Sequence, residues 1–268
     1  MAKIGVIHYN FPGFTFQQFL KFCADTGYQY VELQLPDVCD ESFKDAEQKA
    51  GALRKELASY GLKTSALAAQ NDFVQLEESA VRHQVERMKR VAQLTKILDE
   101  DAVIRSEGGQ PKDSVPMEKL LPAMEGCFSR CVDFADKLGV NIAIDNHGLI
   151  TNDGEMLLAL LRKLNHKRIG TNLDTMNYRW YGHDVATCNH FYDVLAPYLM
   201  HTHFKDGTGS RKEYKGAALG DGEIDLKHML NCLKRVGYKG VYCAEYEGPE
   251  TAGGVGYAKC CGWLKDNA

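Results

Sequence analysis

Tyr198-Leu199-Met200-His201-Thr202-His203-Phe204-Lys205-Asp206 decides how the rest of this chain is read. Side chains two apart on a strand share a face, so His201, His203 and Lys205 point one way and Met200, Thr202 and Phe204 the other. The same split recurs in Asn141-Ile142-Ala143-Ile144-Asp145-Asn146-His147, where Asp145 and His147 share a face. Arg168-Ile169-Gly170-Thr171-Asn172-Leu173-Asp174 ends in a carboxylate, and Val241-Tyr242-Cys243-Ala244-Glu245-Tyr246-Glu247 ends in two. Four strands that each finish in an acid or a histidine read as one site in pieces.

Outward from these, short β-rich runs alternate with helical periodicity along the chain. Strands are expected near 3–8, 30–35, 63–69, 102–106, 141–146, 168–173, 198–204 and 240–246, with helices between them, among them 78–98, 116–138 and 225–236. Gly27, Gly61, Gly139 and Gly237 each stand where a helix should end before a strand, as left-handed caps do. Eight such units predict an α/β fold of the (β/α)8 TIM barrel type, a single domain over residues 1–268. The rival, a doubly wound open sheet, normally carries a glycine-rich first turn. Here the first turn is Tyr9-Asn10-Phe11-Pro12-Gly13, and no G-x-G-x-x-G or Walker-type loop follows a strand. In a barrel, catalytic groups gather at the C-terminal ends of the strands, where the polar residues fall.

A net charge of −4 gives no electrostatic footprint for nucleic acid or anionic membrane, so a small molecule is the expected partner. No apolar stretch reaches membrane-spanning length and no signal-peptide core opens the chain, which predicts a cytoplasmic protein. The nine cysteines form no C-x-x-C pair and read as small buried hydrophobes rather than a disulfide framework.

Asp145, Asp174, His203 and Glu245 are separated by 29, 29 and 42 residues. The first two gaps match one β/α unit, which predicts equivalent heights on successive strands. Three carboxylates with one imidazole suit a divalent cation, Mn²⁺ first, with Mg²⁺, Co²⁺ or Zn²⁺ also compatible, and leave positions open for two substrate oxygens. Without a cation, carboxylates converging in a barrel mouth repel. His147 could act as a general acid/base, a substrate donor, a fifth ligand or a buttress of the metal shell. Lys205 either stabilises an enolate oxygen or extends to solvent. Asn71, Arg105, Glu107 and Glu247 are candidates to line the same mouth and contact substrate. The glycine-punctuated segment 207–216 reads as a flap or as a plain solvated loop.

Several motifs resemble the xylose-isomerase-like barrel superfamily of sugar phosphate isomerases and epimerases, over nearly the whole chain. Gly27-Tyr28-Gln29-Tyr30-Val31-Glu32-Leu33 is similar to its "G-x-x-x-V-E-L" second strand, Gln70-Asn71-Asp72-Phe73 to its third-strand end, and Asp145-Asn146-His147-Gly148 to its "E-N-H-G" motif. Asn172-Leu173-Asp174-Thr175, His201-Thr202-His203-Phe204-Lys205-Asp206, Leu219-Gly220-Asp221-Gly222-Glu223-Ile224-Asp225 and Ala244-Glu245-Tyr246-Glu247-Gly248 match its later units. The resemblance implies a divalent metal held by Asp145, Asp174, His203 and Glu245, and a sugar isomerase or epimerase activity. The family usually has glutamate where this chain has Asp145, one methylene shorter, which gives His147 more of the proton-transfer role beside Glu245. Asp-Asn-His-Gly is also compatible with a branch acting on 3-keto-glycosides, including α-type subunits of C-glycoside deglycosidases. That branch would make the protein a lyase, or a sugar-binding chain dependent on a small second subunit; a homo-oligomer is the other assembly expected. Abasic-site endonucleases use a related barrel, but they need a richer His/Glu cluster and a basic face that this chain lacks.

Overall fold

The computed structural model describes residues 2–268. Eight parallel strands close into a barrel: β1 (Lys3–Ile7), β2 (Tyr30–Gln34), β3 (Lys63–Ala68), β4 (Val103–Ser106), β5 (Ile142–Asp145), β6 (Ile169–Asp174), β7 (Leu199–Phe204) and β10 (Val241–Ala244). Each neighbours the next in sequence, and β10 pairs with β1 to complete the circle. The expected strand positions agree with these to within a residue or two, and the chain is a single-domain TIM barrel. A helix of ten residues or more follows every barrel strand: α1 (Phe16–Thr26), α3 (Ala46–Ser59), α4 (Glu78–Leu98), α5 (Met117–Leu138), α6 (Gly154–Leu164), α8 (Val185–Leu195), α9 (Leu226–Arg235) and α10 (Val255–Asn267). Two short helices, α2 (Leu35–Val38) and α7 (Asn177–Tyr181), extend the loops after β2 and β6.

α1 shows how local sequence sets these units. The Thr15 hydroxyl accepts from the Gln18 backbone N–H at 3.2 Å while the Gln18 side chain accepts from Thr15 N–H at 2.7 Å, so two otherwise orphaned donors are satisfied reciprocally. Phe19, Leu20 and Cys23 then face the barrel and are fully buried. The helix stops at Gly27, whose φ of +94° turns its N–H back onto the carbonyls of Cys23 and Ala24. The main apolar core lies between the strands and this ring of helices. Two smaller clusters stand apart from it: Ile7, Val241 and Cys243, and Ala66, Val103 and Ala143. All nine cysteines are buried and unpaired.

Two register shifts disturb the barrel, one between Val31 and Glu32 where β2 pairs with β3, the other between Thr171 and Asn172 where β6 pairs with β7. Bulges re-aim side chains, and these two lie beside the buried polar residues Glu32 and Asn172. Past the second shift Asn172 stands opposite His201 and Asp174 opposite His203. On the other side of β6, Asp145 pairs with Asn172. The 29-residue gap therefore does not set Asp145 opposite Asp174, because a closed barrel staggers each strand against its neighbour and equal spacing in sequence is not equal position.

Segment 207–216 is neither a featureless loop nor a detached flap. β8 (Asp206–Thr208) and β9 (Lys215–Ala217) pair antiparallel. The buried Asp206 carboxylate ties the base of this hairpin by accepting from the backbone N–H groups of Gly207, Gly220, Gly222 and Ile224 at 2.8–3.2 Å. This explains Gly222, where a Cβ would strike that carboxylate, while Gly220 takes a φ of +89° against the Trp263 ring.

Gly170 has a similar steric reason: a Cβ there would collide with the Tyr198 carbonyl of β7 and the Met200 side chain. Gly170→Ala is expected to lower stability by about 1–3 kcal/mol, read by urea denaturation. Unchanged stability would mean the β6–β7 contact is looser than described.

Candidate active site

Glu32 sits in the middle of the polar interior and is fully buried. One of its oxygens accepts from Arg105 Nε at 2.6 Å; the other lies 2.6 Å from His203 Nε2 and 3.6 Å from His201 Nδ1. Burial opposes its ionisation, but the charges of His203 and Arg105 outweigh that and hold the carboxyl down at about 2. Because Nε2 of His203 is committed to Glu32, its Nδ1 is turned toward Glu245 Oε2 at 2.9 Å and Asp174 Oδ2 at 3.9 Å.

Asp174, His203 and Glu245 each offer one donor atom within 4.8 Å of the others, and all three residues are buried. Asp174 Oδ2 and His203 Nδ1 are buried without a hydrogen bond. The other oxygen of Asp174, Oδ1, caps α7 by accepting from Met176 N–H and Asn177 N–H at 2.8 Å, and this fixes the carboxylate. Two carboxylate oxygens and one imidazole nitrogen turned on a common point, two of them otherwise unsatisfied, fit a divalent transition-type cation. His203 then has the pattern usual for a metal-bound imidazole, one ring nitrogen free for the ion and the other fixed by a carboxylate.

Asp145 stands outside this trio. Its Oδ2 accepts from Arg105 Nη1 at 2.9 Å and its Oδ1 from Asn172 Nδ2 at 2.7 Å. Asn172 in turn holds His201 Nδ1 at 3.0 Å, so a chain of buried side chains runs from the floor histidine to the Asp145 carboxylate. Burial pushes His201 down to about 4 and keeps it neutral.

Lys205 does not extend to solvent. It is 3 % exposed, with Nζ 2.9 Å from Glu245 Oε1, 3.3 Å from Asp174 Oδ2 and 3.6 Å from Glu247 Oε2. Burial alone would neutralise this ammonium, yet Asp174 and Glu245 raise its pKa well above the ordinary lysine value. Burial likewise disfavours the Glu245 anion, but Lys205 and His203 hold its pKa well below the usual range. Lys205 and Arg105 thus offset part of the repulsion among the carboxylates of this mouth, while burial together with Glu245 and Asp145 still pushes the Asp174 carboxyl up to about 7.

The remaining candidates take different places. His147 is half exposed, with Nδ1 4.0 Å from Asp145 Oδ2. Asn71 spends its amide on the Glu107 backbone, donating to the carbonyl at 2.7 Å and accepting from the N–H at 2.9 Å, so it braces the ends of β3 and β4. Glu107 and Glu247 remain partly exposed at the rim, near Arg105 and Lys205 respectively. Gly216 of the hairpin packs so closely on the Glu247 backbone that a Cβ would not fit. In the sequence Glu32 stands only within a strand motif, and Asn172 carries no mark of a place in the site. The available signal for Glu32 was one acid within the apolar run Tyr30-Val31-Glu32-Leu33.

Removing the Glu32 carboxylate leaves Arg105 and His203 buried without their partner. Glu32→Ala should cost about 3–5 kcal/mol in equilibrium unfolding; a loss below about 1 kcal/mol would show that Glu32 does not organise the interior.

With the geometry in place, residues 20–267 match the family described as "Xylose isomerase-like TIM barrel". Among curated proteins, an inosose isomerase of Bacillus velezensis is 22 % identical over 239 residues, 87 % of this chain and 84 % of that one. Among solved structures, the IOLI protein with a bound zinc atom superposes with a TM-score of 0.80 at 18 % identity, covering 99 % of this chain and 96 % of that one. A D-tagatose 3-epimerase-like protein gives 0.78 at 19 % identity, covering 99 % and 97 %. The chain belongs to the xylose isomerase-like TIM barrel family.

Proposed function

We propose that the protein is a divalent-metal-dependent enzyme of the sugar isomerase or epimerase type that removes a proton beside the carbonyl of a small sugar or related polyol. The observation that carries this reading is the buried trio Asp174, His203 and Glu245, two of whose donor atoms lack any hydrogen bond, with Lys205 and His147 toward the mouth. Kinship to proteins named inosose isomerase and to an epimerase-like fold supports it. Asp174, His203 and Glu245 would hold the ion. Mn²⁺ and Zn²⁺ both suit the donor set, and the zinc in the IOLI structure favours a transition-type cation over Mg²⁺. When bound, such an ion supplies Lewis acidity that polarises the substrate carbonyl.

The chain's own groups do the rest. Lys205 donates to one Glu245 oxygen and, against the cost of burial, Lys205 and His203 hold its pKa well below the usual range, which makes Glu245 a poor proton acceptor. The His147 ring reaches the mouth with no partner closer than Asp145 at 4.0 Å and serves as the proton carrier. Lys205 Nζ, displaced toward Glu247 when the ion is held, would stand at the mouth where it can donate to an enolate oxygen. Glu107 and Glu247 at the rim accept hydrogen bonds from the polyol hydroxyls. Returning the proton to the neighbouring carbon or to the opposite face gives isomerisation or epimerisation. Loss of a β-substituent from the same enolate gives the lyase outcome on a 3-keto-glycoside.

Protein purified without chelator should contain about one equivalent of metal, and Asp174→Asn and Glu245→Gln should each lower it, measured by elemental analysis. Undiminished metal in both variants would remove these residues as ligands. His147→Ala should keep its metal and lose turnover by about 10²–10⁴-fold; loss of metal as well would make it a ligand or the buttress of one. Incubation in D₂O with ketoses, aldoses, inososes and 3-keto-glycosides, followed by NMR, should show deuterium entering the carbon beside the carbonyl of the true substrate. Product formed with neither exchange nor a kinetic effect of deuterating that carbon contradicts enolisation.

A further inference from the structure

A second cluster of metal-ligating side chains lies on the outside of the barrel, where α8 packs on α9. Asp193 projects from α8; His228 and Cys232 project from α9 one turn apart, which sets them on one face. Asp193 Oδ2 is 3.2 Å from His228 Nε2, and Asp193 Oδ1 is 3.3 Å from Cys232 Sγ. All three donor atoms lie within 4.8 Å of one another. A tetrahedral zinc ion with bonds of ~2.0–2.3 Å spaces its ligand atoms ~3.3–3.7 Å apart, and His228 Nε2 and Cys232 Sγ each lie near that spacing from the Asp193 carboxylate, the first from Oδ2 and the second from Oδ1. Cys232 is buried, and His228 Nε2 is buried without a well-formed hydrogen bond. A cation already occupies this place: Arg235, on the last turn of α9, puts Nη2 2.6 Å from Asp193 Oδ1 and 3.5 Å from Cys232 Sγ. That guanidinium belongs to a half-exposed side chain, free to swing into solvent.

We propose that Asp193, His228 and Cys232 form a zinc-class metal site, with a water as fourth ligand, that staples α8 to α9. Binding replaces the thiol proton by the metal–sulfur bond, releases that proton to solvent and expels Arg235, with no change of oxidation state. The two helices lead into β7, which carries His203, and into β10, whose end Glu245 directly follows, so the staple would stiffen the segments that deliver two of the three residues of the barrel trio. It is chemically distinct from that trio, which contains no thiol.

The test is a Co²⁺ titration of the intact protein followed by absorption, because a thiolate bound to Co²⁺ gives a charge-transfer band in the near ultraviolet that carboxylates and imidazoles do not. The expected result is a saturable band that Asp174→Asn leaves in place, Cys232→Ser abolishes and added Zn²⁺ bleaches by competition. His228→Gln, at a partly exposed position that the fold should tolerate, should weaken Co²⁺ binding by at least about tenfold. Arg235→Gln should tighten it several-fold by removing the resident cation. No band in the intact protein overturns the proposal. So does a band that survives Cys232→Ser, which would point instead to Cys243 beside His203, or an affinity that His228→Gln leaves unchanged.

Discussion

The bridge made by the buried Glu32 carboxylate is the interaction on which the polar interior depends. It reaches His203 on β7 through one oxygen and Arg105 on β4 through the other, joining opposite walls of the barrel. A carboxylate with no exposure survives as an anion only when donors are supplied to both oxygens, and a guanidinium and an imidazole supply them here. The consequence for chemistry is directional. With its Nε2 taken by Glu32, His203 can present only Nδ1 to Asp174 and Glu245, and with its Nε taken, Arg105 turns Nη1 onto Asp145.

Charge balance separates the interior into two parts. Glu32 and Asp145 are compensated by Arg105, with Asn172 completing the hydrogen bonding of Asp145. Nearer the mouth, Lys205 and His203 compensate Glu245 and offset only part of the cost of burying Asp174 beside it. The first group is saturated and holds shape; the second keeps two donor atoms unsatisfied and has the capacity to bind. The one-methylene shortening at Asp145 agrees with this division, since the shorter carboxylate is held on the wall by Arg105 and Asn172.

Much of the fold was legible in the sequence because parallel strands buried on both faces leave short apolar runs between amphipathic helices, and glycines such as Gly27 mark where the helices stop. The ends of β5, β6, β7 and β10 were legible for a related reason: a charge closing an apolar strand stands out. The register was not. The shifts at Val31/Glu32 and Thr171/Asn172 carry no local signature, and neither does the stagger of β5 on β6 that sets Asp145 opposite Asn172 rather than Asp174. Nor could sequence show that Lys205 folds inward onto the carboxylates, because a lysine at a strand end reaches solvent equally well until its neighbours are known. Asn71 looked like a substrate contact, yet its amide is spent on the Glu107 backbone, a pairing between residues 36 apart that only the barrel brings together.

The central claim, that Asp174, His203 and Glu245 form a metal centre whose place beside Lys205 is set by Glu32, is tested most directly by a crystal structure of the protein grown with Mn²⁺ and examined by anomalous scattering. The account predicts one anomalous peak about 2.0–2.3 Å from Asp174 Oδ2, His203 Nδ1 and a Glu245 oxygen, with His203 Nε2 still on Glu32 and the Lys205 ammonium moved toward Glu247. A map with no peak among these residues at saturating Mn²⁺, and the Lys205 ammonium still between Asp174 and Glu245, would contradict it.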